Sequence, residues 1–384
     1  MRTVQAAVLE KFNDPLCVRS FPLPRQLEDG AVLVRTELAG ICGTDVHLWK
    51  GELPIALPVI LGHETAGRIE QLGAGVDTDW AGNPLRIGDR VTWTSTTSCG
   101  DCYYCVKKRQ PTRCHQRRAY GIGYRCDEPP HLLGGYAEFH YLRPRANIFR
   151  IPESLPNEAV IGAGCALITA IHGVERICRE PPGVHTPSSG MPVLPALWKE
   201  CVVVQGAGPV GISAIAVARN AGAERVIVVG GPKNRLELAR RFGADESINI
   251  EEFKEPGARI DAIRQRTGGH GADVVLECVG IPAAVVEGME LCRDGGKYLV
   301  LGQYCDAGPV SLHPHVITRK QLEVHGSWSS EPRHMQAALN LLQQNSDRFP
   351  FASLVTRRFN LTQATEALSA TANWQTAKSV IVPG

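Results

Sequence analysis

Four cysteines, Cys99, Cys102, Cys105 and Cys114, fall within 16 residues at the spacing C-x2-C-x2-C-x8-C. The chain holds 13 cysteines in 384 residues, an odd number in a protein too large to need disulfide staples. Such a cluster reads as a metal site rather than a disulfide framework. Four thiolates so spaced can surround one tetrahedral Zn²⁺, and a closed set leaves no position for substrate, so its work is structural. Lys107, Lys108, Arg109, Arg113, Arg117 and Arg118 lie around it. A charge run is usually a solvated face, and the chain as a whole is nearly neutral, which disfavours a nucleic-acid-binding zinc ribbon.

A second group of metal-ligating types is dispersed. Cys42, Thr44, Asp45 and His47 follow a strand-like run, and His63 with Glu64 opens another. Alone, such a Cys or His is more often packing. Further on, Gly206, Gly208, Pro209, Val210 and Gly211 form G-x-G-x-x-G between an apolar run and a helical pattern. In that context the first Gly permits a tight turn, the second lets pyrophosphate approach the backbone, and the third allows close helix–strand packing. The helix N-terminus then offers N–H groups and a positive dipole end to the phosphates. The next strand ends VIVVGGPKNR, with Gly230 where an acidic residue normally binds the adenosine ribose. Lys233 and Arg235 follow, so NADP is permitted and NAD is not excluded.

The elements that must position these residues divide the chain. Residues 31–38, 63–73, 89–94 and 135–142 alternate as strands with turn residues between them, and helical periodicity is nearly absent before 150. Residues 155–176 are long and apolar without an internal proline beyond Pro156, predicting one buried helix. The stretch 179–200 carries five prolines and no period, and reads as a loop insertion. Strands at 200–206, 225–231, 246–250, 272–280 and 297–302 alternate with helices at 209–222 and 235–243, the pattern of a parallel α/β sheet. A helix at 334–344 and a final strand, SVIVP, end the pattern.

Hydrophobic residues are 43% and charged residues 21% of the chain, ordinary globular values. Lys plus Arg is 41 against 39 for Asp plus Glu, a net charge of +2, which favours neither nucleic acid nor a membrane surface as partner. The longest apolar run, 159–171, is 13 residues, short of the roughly 18–20 that a membrane span requires. The opening MRTVQAAVLEKFND shows no secretory pattern, so a soluble cytoplasmic protein is expected.

In order, GICGTDVH (40–47), LGHETAGRI (61–69), CGDCYYC with Cys114, GCALITA (164–170) and VVVQGAGPVG (202–211) resemble the zinc-dependent medium-chain dehydrogenase/reductases, the alcohol dehydrogenase superfamily. The resemblance implies an α/β protein: a GroES-like β-rich catalytic domain over 1–160, completed by 322–384, and a Rossmann doubly wound parallel-sheet domain over 161–321. It implies two Zn²⁺ per chain and a nicotinamide cofactor, NAD or NADP. By the same resemblance Cys42, His63 and Cys165 ligate a catalytic zinc. Asp45 orients the ligating histidine, and Glu64 stands beside the metal or joins it transiently as a fourth ligand. Thr44 and His47 relay a proton, and Thr169 lines the nicotinamide pocket.

The departures are the x8 spacing before Cys114, one longer than usual, and the 179–200 insertion. The implied activity is an alcohol dehydrogenase on a small alcohol or carbonyl, with an aldehyde or enone reductase as the alternative. Trp49 and Trp93 are candidate apolar walls of the substrate pocket. A homo-oligomer, dimer or tetramer, is expected.

Overall fold

The computed structural model describes residues 2–178, 197 and 199–384. The predicted insertion at 179–200 therefore lies almost wholly outside the described residues. Two compact units emerge: Met1–Cys165 with Glu331–Gln344 and Phe351–Gly384, and Ala166–Ser330 with Asn345–Pro350.

The first unit is built mostly on antiparallel strands, with Val355–Phe359 parallel to Lys378–Ile381. Its main sheet runs in the order Ile148–Arg150, Arg90–Trp93, Glu64–Leu72, Val32–Gly40, Lys378–Ile381, Val355–Phe359, with Phe139–Leu142 also pairing Val32–Gly40. A three-stranded sheet of Cys17–Pro22, Thr3–Leu9 and Val59–Ile60 completes it. Val8, Leu33, Ile60, Tyr120 and Tyr136 are fully enclosed in its core. Trp93 packs edge-on against His140 at 4.8 Å and is 3% exposed, so it is core rather than pocket wall. Trp49 is half-buried and donates from Nε1 to the Asp14 carbonyl at 2.8 Å.

Helix is not absent from this unit. Residues Gly43–Lys50 form two turns, with Cys42 as the extended residue before them. Asp45 reaches back to accept from the Cys42 N–H at 2.8 Å, capping the helix. Eight residues are too few for a hydrophobic period to declare itself, so local capping rather than an apolar stripe sets this helix.

The second unit carries a six-stranded parallel sheet in the order Glu246–Asn249, Arg225–Gly230, Cys201–Gln205, Ala272–Glu277, Cys292–Val300, Glu323–Gly326. In chain order this is 3-2-1-4-5-6, the dinucleotide-binding arrangement. Its inner strands, CVVVQ, RVIVVG and ADVVLE, are almost continuously buried, as a sheet covered on both faces requires. The strand Glu323–Gly326 hydrogen-bonds along Cys292–Val300, so residues 322–330, expected with the first domain, pack here.

The helix Asn157–Ile177 is long and apolar enough to cross a membrane by length and composition alone, longer than the 13-residue run suggested, but it is mostly buried within the protein. Nor is it the uninterrupted helix predicted: Gly164 breaks it with φ 47° and ψ −150°.

Candidate metal centre and dinucleotide site

The break at Gly164 has a visible cause. A Cβ there would stand 2.3 Å from Glu64 Oε1, and a left-handed φ already disfavours any side chain. Because the helix is interrupted, the Cys165 N–H is released from helical bonding and donates to Glu64 Oε1 at 2.7 Å. Cys165 Sγ then lies 3.2 Å from Cys42 Sγ, across 123 residues of sequence.

His63 is held from the other side. Its Nδ1 donates to Asp45 Oδ1 at 3.2 Å, and the same oxygen accepts from the Gly62 N–H at 3.3 Å. Asp45 is fully buried, so one carboxylate caps a helix, fixes the loop before His63 and sets the imidazole tautomer. That leaves the Nε2 lone pair free to face a metal.

One donor atom each from Cys42, His63, Glu64 and Cys165 lies within 4.8 Å of the others. The two sulfurs are hydrogen-bonded to each other. The hydrogen bond from Cys165 pushes Cys42 well below the ordinary thiol range, against burial and the charge of Glu64. The same bond and burial push Cys165 well above it. Burial disfavours a charged His63, yet Asp45 and Cys42 raise its pKa well above the usual value. A buried set of soft sulfur and imidazole donors competing for protons is one that a divalent cation completes, so the residues fit zinc.

Glu64 is doubly engaged. Burial raises its pKa, but Lys378, His63 and the Cys165 N–H together lower it below the ordinary carboxylate value, and Lys378 Nζ donates to Oε2. Neither Lys378, 314 residues away, nor Glu52 was expected from the sequence. Glu52 pairs with His47 Nδ1 just past the left-handed Gly51 that ends the helix. Lys378 does leave a faint trace: it is the one charged residue of a short strand, KSVI, in which every residue is buried. Thr44 and His47, both half-buried, are three apart on one face of their helix.

The other cysteines also converge. Cys114 Sγ lies 3.4 Å from Cys99 Sγ, Cys102 Sγ 3.6 Å from Cys105 Sγ, and Cys99 Sγ 4.0 Å from Cys105 Sγ. All four sulfurs fall within 4.8 Å. The Cys105 backbone N–H, the largest cause, helps push Cys102 down to about 6, close to a standing thiolate. This all-sulfur set fits a tetrahedral zinc with no open position.

In the second unit, strand Cys201–Gln205 runs through Gly206 into the helix Pro209–Asn220, with Gly208 as its extended N-cap. A Cβ on Gly211 would meet the Gly206 carbonyl oxygen at 2.0 Å, which is the close packing the third glycine provides. Gly208 is open, its nearest neighbour being Arg235 Nη1 at 3.9 Å from where a Cβ would stand. Arg235 thus reaches the phosphate turn from the helix Lys233–Arg241. Gly230 does more than omit a carboxylate: a Cβ there would sit 3.1 Å from the Ala207 nitrogen, so it also admits the turn itself. Thr169, half-buried, is on the helix four residues past Cys165.

Comparison with known proteins accords with this arrangement. Residues 28–153 match the alcohol dehydrogenase GroES-like domain, and residues 209–344 match the zinc-binding dehydrogenase domain. The chain is 35% identical over 340 residues to 5-exo-hydroxycamphor dehydrogenase of Pseudomonas putida, covering 88% of each. An alcohol dehydrogenase from Thermotoga maritima superposes with a TM-score of 0.90 at 34% identity over the full length of both chains. A putative zinc-binding dehydrogenase from Sinorhizobium meliloti, bound to NADP, gives 0.81 at 28% identity, again over both full chains. The chain belongs to the zinc-dependent medium-chain dehydrogenase/reductase family and is an oxidoreductase of the alcohol dehydrogenase type.

Proposed function

We propose that each chain binds two zinc ions, one at Cys42, His63 and Cys165 and one at Cys99, Cys102, Cys105 and Cys114, and interconverts a small alcohol and its carbonyl with NADP or NAD. The observation that carries this reading is the convergence of Cys42, His63 and Cys165 donors from three separate segments around a histidine already oriented by buried Asp45. Zinc with an open fourth position would acidify a substrate hydroxyl, and the nicotinamide would take up or deliver the hydride.

The chain's own residues do the rest. Asp45 holds the His63 ring so that its lone pair points one way. Thr44 and His47 carry the substrate proton outward, and Glu52 holds His47 at Nδ1 while its half-exposed ring meets solvent. The turn at Gly206, Gly208 and Gly211 and the N-terminus of the helix at Pro209 and Val210 cradle pyrophosphate, with Thr169 beside the nicotinamide. Arg235 pairs with a ribose 2′-phosphate, in keeping with the NADP of the Sinorhizobium neighbour.

The first unit serves as the catalytic domain and the second as the cofactor domain of a soluble cytoplasmic enzyme. Its edge strand Glu323–Gly326, with Val324 exposed, suits a homo-oligomer, dimer or tetramer, to be read by sedimentation. The deciding experiment is metal analysis together with a panel of alcohols and aldehydes, bicyclic secondary alcohols included, against both cofactors. Fewer than two zinc ions per active chain, or no turnover with any alcohol or carbonyl, defeats the proposal.

A further inference from the structure

The ion pair between Lys378 and Glu64 is fully buried, the two side chains being 4% and 2% exposed. Burying both charges is costly unless the geometry serves some purpose, because replacing such pairs by apolar residues is often neutral or stabilising. The backbone is arranged to admit it. Gly40 lies opposite Glu64 on one neighbouring strand and opposite Val380 on the other, two residues from Lys378. A Cβ on Gly40 would stand 2.6 Å from Glu64 Oε2 and 3.1 Å from Lys378 Cε, so the pair occupies the space where a side chain would be.

We propose that Lys378 is a positioning residue: it holds the Glu64 carboxylate off the catalytic metal and thereby keeps one coordination position open for substrate. The argument is one of reach and charge. Glu64 already has an oxygen within 4.8 Å of the ligand atoms of Cys42, His63 and Cys165, so a small rotation would bring it onto a metal there. The Cys165 N–H engages only Oε1. Oε2 is retained by Lys378 alone among the contacts described.

A divalent zinc with two thiolates and a neutral imidazole sums to zero, and so does Glu64 with Lys378. Remove the ammonium, and among the described residues the cation left within reach of the buried carboxylate is the metal itself. Four protein ligands would then close the site, as they do in structural zinc centres.

The inference rests on Cys42, His63 and Cys165 being the metal ligands. Cobalt-substituted holoenzyme separates the two questions, with imidazole as probe of the open position. The four-cysteine centre contributes thiolate-to-cobalt absorption of its own, so the bands that report the open site are those lost in Cys42→Ala, and a Cys42→Ala spectrum identical to that of the unaltered protein overturns the ligand assignment. Given those bands, Lys378→Met is expected to show an altered resting spectrum and to bind imidazole at least about tenfold more weakly, as a position filled by a carboxylate requires. Lys378→Gln, which keeps a donor and better tolerates burial, should do the same. Lys378→Arg should retain the original spectrum, and Glu64→Gln combined with Lys378→Met should recover imidazole binding. A Lys378→Gln protein that takes imidazole as the unaltered protein does, or a double variant that stays closed, overturns the inference.

Discussion

Gly164 and Glu64 occupy one space between them: the position a Gly164 Cβ would take is 2.3 Å from Glu64 Oε1, at a backbone φ of 47°. Gly164→Ala must therefore displace either the carboxylate or the helix break that presents Cys165. The expected outcome is loss of about one zinc per chain and of nearly all turnover, while the four-cysteine centre stays loaded. Metal analysis of the purified variant, read beside its activity, checks this, and a fully loaded, fully active Gly164→Ala protein contradicts it.

The two cysteine sets should fail differently. If Cys42 ligates an open-site zinc as proposed, Cys42→Ala should lose about one zinc and the activity while the thermal midpoint changes little. On the proposed four-cysteine zinc, Cys102→Ala removes one of four thiolates that would tie residues 99–114 together, and bound structural metal contributes folding free energy directly. Its signature is a lowered unfolding midpoint. Equal midpoints for the two variants would count against the division of labour.

Cofactor choice is best probed at Arg235. Its guanidinium stands at the phosphate turn, and a charge-assisted bond to a 2′-phosphate contributes about 1.5–3 kcal/mol. Arg235→Ala should lower kcat/KM for NADP relative to NAD by about tenfold or more. Gly230→Asp is a less clean test, since its Cβ would press on Ala207 at 3.1 Å and 3.3 Å and disturb the turn that both cofactors use. It should weaken both, with NADP the more affected. An Arg235→Ala enzyme with an unchanged cofactor ratio sinks the assignment.

Acid sensitivity should trace in part to His140. Its ring is fully buried between Trp93 and Tyr120, neither nitrogen has a hydrogen-bond partner, and burial pushes its pKa down to about 3. Between about pH 6.5, where an unfolded histidine takes up a proton, and about pH 3, the unfolded chain binds one proton more than the folded one. Stability therefore falls as pH drops through that window, by at most about 1.4 kcal/mol per pH unit from this residue. Urea midpoints of His140→Phe at pH 7, 6 and 5 should decline less steeply than those of the unaltered chain. Parallel slopes would remove His140 from the account.

The four-cysteine set and the glycine turn were legible because C-x2-C-x2-C and G-x-G-x-x-G place their groups within a single turn or loop, whereas Cys42, His63 and Cys165, drawn from three separate segments, were implied only by the family resemblance. The parallel sheet showed equally well, since strands buried on both faces read as runs such as VVV and VIVV. What escaped depends on contacts that sequence distance hides. The helix Gly43–Lys50 is too short for periodicity. The interruption at Gly164 answers to a carboxylate a hundred residues upstream, and Lys378 to one more than three hundred upstream. The double duty of Gly230 becomes visible only once Ala207 is placed beside it.

The strand Lys378–Ile381 lies inside the main sheet of the first unit, against Val32–Gly40 on one side and Val355–Phe359 on the other. During synthesis, Ala39 and Gly40, the end of Val32–Gly40 that this strand covers, must wait through more than three hundred codons for their neighbour, whereas residues 32–35 are paired by Phe139–Leu142 much earlier. Residues 166–330 can assemble their parallel sheet earlier, because all six strands have by then been made. Glu64, for its part, has no counter-charge until residue 378 arrives. The order of events on the ribosome is thus inverted with respect to the order of the sequence: the unit begun first is finished last, and the Glu64–Lys378 pair forms only after all six strands of the parallel sheet have been made.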